Sequence, residues 1–238
     1  MGHTARLSLV LIALAAAFSQ QREANPGNPS TLEDFQSGDQ NREALQRATD
    51  LVGATKASPG DWVADVGAGA GYYSMRLSRM VGPTGKVFAE EIWAPALRCL
   101  DLRVKLFDLP NVDVVKGEDD NPKLPPGSLA AVLVVNSYHH FEKYQATCEQ
   151  MLKSLKPGGR LVIADYSLPA YRQKSRADQL KIHEIDPELL RTELTQAGFC
   201  VLSCDDPFVN RMPDAAFSYG PKEADLYLMV AVRPQAQK

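Results

Sequence analysis

The sequence predicts an α/β protein: a seven-stranded, mostly parallel sheet with helices on both faces and a last strand that returns antiparallel. Three observations carry this. From Trp62 onward, short β-branched runs alternate with longer stretches of helical periodicity, the pattern of strands joined by crossover helices. The last two strand candidates are instead joined by a Gly/Pro/Asp-bearing connection without a strong helical pattern, which suits a hairpin-like, antiparallel return. The chain has 238 residues, 45% hydrophobic and 23% charged, enough for one main domain with a full core.

Taken in order, residues 1–19 come before any core. One Arg at position 6 precedes the uninterrupted apolar run Leu7 to Phe18, and Ala17 and Ser19 occupy the two small-residue positions of a cleavage site. This is the layout of a secretory signal peptide, and the run is too short for a comfortable membrane span. It predicts a periplasmic or secreted protein without a stable span in the mature chain. An uncleaved inner-membrane tether, or a cytoplasmic protein with a mis-called start, is the alternative. Residues 20–39, polar and rich in Asn, Pro, Gly and Ser, read as a flexible linker, and the domain is expected over 40–238. Arg42 to Lys56 has the spacing of an amphipathic helix. Strands are expected at 62–66, 86–90, 112–116, 131–135, 160–165, 199–204 and 226–232, and helices at 72–81, 95–107, 143–155 and 187–197. Gly198 suits the left-handed position that closes the last helix.

The stretch "VADVGAGAGYYS" packs Gly67, Gly69 and Gly71 between the first strand and the helix beginning near Tyr72. In open α/β sheets ligands bind at that carboxyl edge, and bare backbone there permits a tight turn and a close approach. The free N–H groups of a helix start attract an anion or carboxylate, so a nucleotide-like ligand is the natural candidate. The dinucleotide fingerprint G-x-G-x-x-G needs its third glycine where Tyr72 stands, and no Gly-Lys-Ser/Thr follows for a P-loop.

Four segments in this order resemble the class I S-adenosylmethionine-dependent methyltransferases, in particular small ones of the ubiquinone/menaquinone-biosynthesis type. They are "VADVGAGAGYYS", "GKVFAEEI", "LPPGSLAAVLVVNSYHHF" and "LKSLKPGGRLVIADY". The resemblance is strong over Gly60 to Tyr166 and weak elsewhere. It implies a Rossmann-like fold, S-adenosyl-L-methionine as cofactor, and methyl transfer to a small-molecule acceptor. It places the cofactor on Asp65, Gly67, Ala68, Gly69, Gly71 and Tyr72, and on Glu91 with Ile92 at the end of the second strand. There Glu91 would accept both ribose hydroxyls. Glu90 is the adjacent candidate, and strand alternation lets only one of the two face the pocket. An acid after the third strand, Glu118 or Asp119 with Asp120 behind them, would bond the adenine amino group. Asn136, where close relatives more often carry Asp, would lie beside the methionine portion. Carboxylates and the Tyr72 face would favour the sulfonium cation. Pro157-Gly158-Gly159 reads as a structural turn.

His139 and His140 follow the fourth strand and are the candidates for a general base acting on the acceptor, although similar His-His runs also shape the cofactor site. No metal is expected, because adjacent residues rarely point at one ion. Cys200 and Cys204, four apart on one strand, face the same side too far apart for a disulfide; with Cys99 and Cys148 they read as buried small hydrophobes. Ser167 to Ile185, with Arg172, Lys174, Arg176, Lys181 and His183, reads as a lid over an acidic acceptor or as a solvated helix. A net charge of -3 and a pI near 5.8 give no reason to expect nucleic acid. Two rival classes are an exported non-catalytic binding protein that keeps the fold and, less favoured, an NAD-dependent oxidoreductase.

Overall fold

A computed structural model describes residues 31–39, 42–210 and 225–235. The signal-peptide reading of residues 1–19 therefore lies outside the described residues, as does most of the connection before the last strand. Among the described residues no helix is long and apolar enough to cross a membrane.

Seven strands form one sheet in the order β3-β2-β1-β4-β5-β7-β6. They are β1 (Trp62–Val66), β2 (Lys86–Glu91), β3 (Val112–Lys116), β4 (Leu129–Val135), β5 (Leu155–Ser167), β6 (Cys200–Val209) and β7 (Asp225–Val232). β1 to β5 pair in parallel, while β7 inserts antiparallel between β5 and β6. This order differs from the all-parallel six-stranded sheet of the dinucleotide-binding fold, which removes the main structural support for an oxidoreductase. The strand order reverses between β1 and β4, so a crevice opens at their carboxyl ends.

Side-chain alternation explains why the inner strands read as apolar throughout. Along β4, Ala131, Leu133 and Val135 join a core with Leu51, Leu77 and Leu100, while Val132 and Val134 join the opposite one with Met151, Leu190 and Leu194. Each face is covered by its own helices. The first core takes α3 (Ala48–Ala54), α4 (Tyr72–Val81) and α5 (Ala94–Leu106); the second takes α6 (Tyr144–Ser154) and α8 (Pro187–Gln196).

Several expectations give way here. Residues 32–39, expected as linker, form helix α1 (Leu32–Asp39), started by a reciprocal cap. Thr31 N–H donates to Asp34 Oδ2 at 2.9 Å and Asp34 N–H to Thr31 Oγ1 at 3.2 Å. Phe35 is buried, edge-on to Phe107, and the Arg103 guanidinium lies 4.3 Å over its ring. The single helix expected over 42–56 is two, α2 (Arg42–Gln46) and α3, broken at Arg47 in the left-handed region (φ 47°). Pro157-Gly158-Gly159 belongs to the irregular start of β5, where Gly158 and Gly159 bond the Arg233 backbone and Gly158 has φ 78°. A bulge near Leu202 breaks the alternation of β6, so Cys200 is exposed while Cys204 packs against the second core. The four cysteines are free, and not all are buried.

Candidate functional site

A cavity of about 930 Å³ opens at the carboxyl ends of β1, β2 and β4. Its floor is the glycine turn, and the three glycines are there for different reasons. Gly67 (φ 70°) and Gly71 (φ 82°) are left-handed, and a Cβ on them would overlap Ser137 Oγ and Leu100 Cδ1 respectively. Those two keep room for the protein's own side chains. Gly69 (φ 56°) is also left-handed, but no atom lies within 4 Å of where its Cβ would be, and it lines the cavity. The open approach to bare backbone is therefore centred on Gly69. Ala68 is fastened beneath it by its N–H donating to Glu90 O at 2.8 Å.

Both acids at the end of β2 reach the turn. Gly67 N–H donates to Glu90 Oε2 at 3.2 Å and Gly69 N–H to Glu91 Oε2 at 2.9 Å. Alternation does not separate them because Val66, the last residue of β1, pairs with Glu90, and Glu91 already lies past that edge. Glu91 Oε1 also accepts the N–H groups of Ile92 and Trp93, each at 2.8 Å. Of roughly four lone-pair sites on a carboxylate, three are thus in use, which leaves room for one ligand hydroxyl. Burial pushes the Glu90 carboxyl up to about 8 despite its bond from Gly67, so it is neutral at pH 7. Asp65, at the end of β1, accepts the Ser74 hydroxyl at 2.6 Å, and burial raises it to about 6.

The remaining walls gather most other sequence candidates. Ile92, Glu118, Asp119 and Asn136 all line the cavity, whereas Asp120 does not; it pairs with Lys143. Glu118 pairs with Lys123. Asn136 sits in the left-handed region (φ 51°), its N–H held by Ala164 O at 2.8 Å, which ends β4 and turns the chain toward Ser137. Tyr72 is in the wall, but guanidiniums of Arg42 and Arg76 lie over its ring at 4.9 and 4.8 Å, so the ring already serves two cations. Sequence reasoning missed Trp93 and Arg103. Arg103 reaches the cavity from α5 and grips Asp39 of α1 through both carboxylate oxygens, at 2.7 and 3.1 Å. The lining holds six carboxyl groups (Asp65, Glu90, Glu91, Glu118, Asp119, Glu142), Glu90 being neutral at pH 7, against two guanidiniums (Arg42, Arg103), a site for a cationic ligand rather than a pyrophosphate.

The histidine pair divides. His140 lines the cavity, while His139 is buried behind it. The His139 Nδ1–H donates to Asp165 of β5 at 2.9 Å, and the His139 backbone N–H donates to the same carboxylate at 3.1 Å. Tyr166 N–H also donates to Asp165 Oδ1, at 2.8 Å. Burial alone would lower His139, but the Asp165 carboxylate and its hydrogen bond outweigh it and raise it overall. His140 is lowered to about 4 by burial first, then by its histidine neighbours. It is neutral at pH 7 and a weak base. The sequence argument that neighbouring histidines point apart does not hold, because their Nε2 atoms lie 3.0 Å from each other.

The segment after β5 is no cavity lid among the described residues. None of residues 167–185 lines the cavity, and its leading cations are engaged by the protein itself. Arg172 pairs with Asp206 at 2.7 and 2.8 Å, and Arg176, at the start of the short helix α7 (Arg176–Leu180), with Glu193 at 2.8 Å.

The fold is one shared with solved methyltransferases. Residues 63–159 match the family model described as a methyltransferase domain. The chain is 30% identical over 149 residues to the ubiquinone/menaquinone biosynthesis C-methyltransferase UbiE of Pseudomonas savastanoi pv. phaseolicola. That match covers 61% of this chain and 56% of the relative, so the chain spans little more than half the length of the curated protein. Among solved structures, it is similar to a SAM-dependent methyltransferase from Aquifex aeolicus, with TM-score 0.65, 22% identity, and coverage of 81% of this chain and 92% of that one. It is also similar to geranyl diphosphate C-methyltransferase from Streptomyces coelicolor A3(2) in complex with Mg2+, geranyl diphosphate and S-adenosyl-L-homocysteine. There the TM-score is 0.66, the identity 17%, and the coverage 89% of each chain.

Proposed function

We propose that this protein is an S-adenosylmethionine-dependent methyltransferase acting on a small-molecule acceptor. The observation that carries the reading is the unobstructed approach to Gly69 inside a cavity lined by six carboxyl groups and two guanidiniums. An adenosyl amino acid with a sulfonium and an ammonium fits that donor set. A dinucleotide, whose pyrophosphate is anionic, fits it poorly.

The residues present suit the cofactor part by part. Glu91 would take one ribose hydroxyl on its remaining acceptor site while keeping the turn latched through Gly69. Asp119 is the better choice at the adenine end, since Glu118 and Asp120 are each paired with a lysine. Asn136 offers its side-chain carbonyl to the ammonium. When bound, S-adenosylmethionine supplies an already activated methyl group with a neutral thioether as leaving group. What this chain must add is alignment of the acceptor and exclusion of water, so no nucleophile or triad is needed. His140, neutral at the cavity wall, accepts a hydrogen bond from the acceptor more readily than it removes a proton, and His139 with Asp165 fixes its position. The volume of about 930 Å³ is at the large end for a single-ligand site, which suits a cofactor with its acceptor.

Similarity to a ubiquinone/menaquinone C-methyltransferase makes demethylated prenyl-quinol precursors the first acceptors to try. Calorimetric titration with S-adenosylmethionine, S-adenosylhomocysteine and NAD, followed by labelled-methyl transfer onto such quinols, tests the reading. Binding of the first two with turnover on an acceptor supports it; binding without turnover on any acceptor favours a non-catalytic binder; binding of NAD alone overturns it. The layout of residues 1–19 further supports export with cleavage after Ser19, checked by sequencing the N-terminus of protein recovered from the periplasm.

A further inference from the structure

We propose that His139, His140 and His183 form a binding site for a divalent first-row transition cation, with Zn2+ and Co2+ as its best-matched probes. The chain has four histidines, and three of them converge at one point although His183 lies more than 40 residues beyond the other two. One ligand atom from each lies within 4.8 Å of the others. The His139 and His140 Nε2 atoms are 3.0 Å apart, and the His183 ring stands edge-on to both, with centroids at 5.6 and 5.2 Å.

Two nitrogens bound to one tetrahedral Zn2+ at about 2.0–2.1 Å stand about 3.3 Å apart. The His139–His140 separation is already close to that. His183 must close by roughly 1.5 Å at most, and it is exposed, on the loop that follows α7. Its neighbours hold the loop's far end: Glu184 is buried and accepts the Leu168 N–H, and Ile185 N–H donates to Tyr166 O at 3.1 Å.

The independent support is Asp165. A metal-bound imidazole characteristically donates its other ring N–H to a carboxylate, which sets the tautomer and the ring orientation. Asp165 is fully buried and accepts the His139 Nδ1–H, leaving Nε2 as the nitrogen that faces the cluster. Neutral imidazoles suit Zn2+, Cu2+, Ni2+ and Co2+ rather than Mg2+ or Ca2+. Three protein ligands leave a position for water or another oxygen donor, and His140 brings that position to the cavity wall.

The test is titration of the tag-free full-length chain with Co2+, read by visible absorption, and competition with Zn2+. Expected are 1:1 stoichiometry, displacement by Zn2+, and affinity at least tenfold weaker in His183→Ala, an exposed change that leaves the fold intact. Asp165→Asn should weaken binding by roughly 10- to 100-fold while all three ligands remain. His3→Ala, which removes the histidine outside the cluster, should change nothing. Absence of Co2+ binding, or binding left undiminished by His183→Ala, would overturn the proposal and leave the three rings as a packed cluster without an ion.

Discussion

Separate alanine substitutions at Gly67 and Gly69 distinguish a glycine the fold requires from one the ligand requires. Both residues are left-handed, at φ 70° and 56°, so each alanine costs about 1–2 kcal/mol of backbone strain. At Gly67 the new methyl also overlaps Ser137 Oγ, and such overpacking costs about 1–3 kcal/mol more. Gly67→Ala should therefore lose about 2–5 kcal/mol, a fall in Tm of roughly 4–20 °C for a domain of this size. Gly69→Ala meets no atom within 4 Å, so its fall should stay near roughly 2–8 °C. The ligand reverses the ranking. A methyl standing in the cradle should cost S-adenosylhomocysteine about 1–3 kcal/mol, roughly a 5- to 150-fold weaker Kd. Calorimetric titration and thermal melts on the two variants measure both effects. Undiminished binding by Gly69→Ala would refute the argument that the cofactor lies on this turn.

Glu91→Gln keeps the shape of the latch but replaces one acceptor oxygen by an amide donor facing backbone N–H groups; S-adenosylhomocysteine binding should weaken at least about tenfold, seen by the same titration. Glu90 keeps its proton up to about pH 8 in the folded protein and loses it near its ordinary value of 4.5 when unfolded. Its contribution is complete below about 4.5 and is lost as pH rises through 8, so the urea midpoint should fall between pH 6 and 8.5. Asp65, raised from 3.8 to about 6, acts with the same sign between those values, so Glu90→Gln should flatten the fall above about pH 6 and leave Asp65's share of the slope below it. Arg103→Met leaves Asp39 without its two-pronged partner and should cost about 3 kcal/mol, with faster proteolysis within residues 31–39 than in the unaltered protein. His140→Gln, which retains a hydrogen-bonding side chain at the wall, should change the KM for the acceptor more than kcat if His140 positions rather than deprotonates.

What could be read from the residues was whatever depends on local pattern. "WVADV" bounds β1 at Trp62–Val66 because apolar residues run to an acid and a glycine turn, and the helix from Tyr72 begins where that turn ends. The antiparallel return of β7 was legible because the sequence of its connection carries no strong helical pattern. Long-range register was not. Asp165 meets His139 only because β4 and β5 end side by side, and His183 joins them through a loop that no periodicity describes. Glu90 and Glu91 looked like exclusive choices because alternation holds inside a sheet and lapses past the end of the neighbouring strand. The helix α1 had a signal that was passed over, Thr31-x-x-Asp34 followed by Phe35, since the polar residues around it match a linker in composition. The bulge near Leu202, which turns Cys200 outward, leaves no mark in the sequence.

The most direct measurement is a crystal structure of the protein with S-adenosylhomocysteine. The account predicts the adenosyl group against the Gly69 backbone, one ribose hydroxyl on the Glu91 carboxylate, and the sulfur pointing into the cavity toward His140. A nucleoside bound away from Gly69, or a ribose held by another acid while Glu91 stays closed on Ile92 and Trp93, would contradict it.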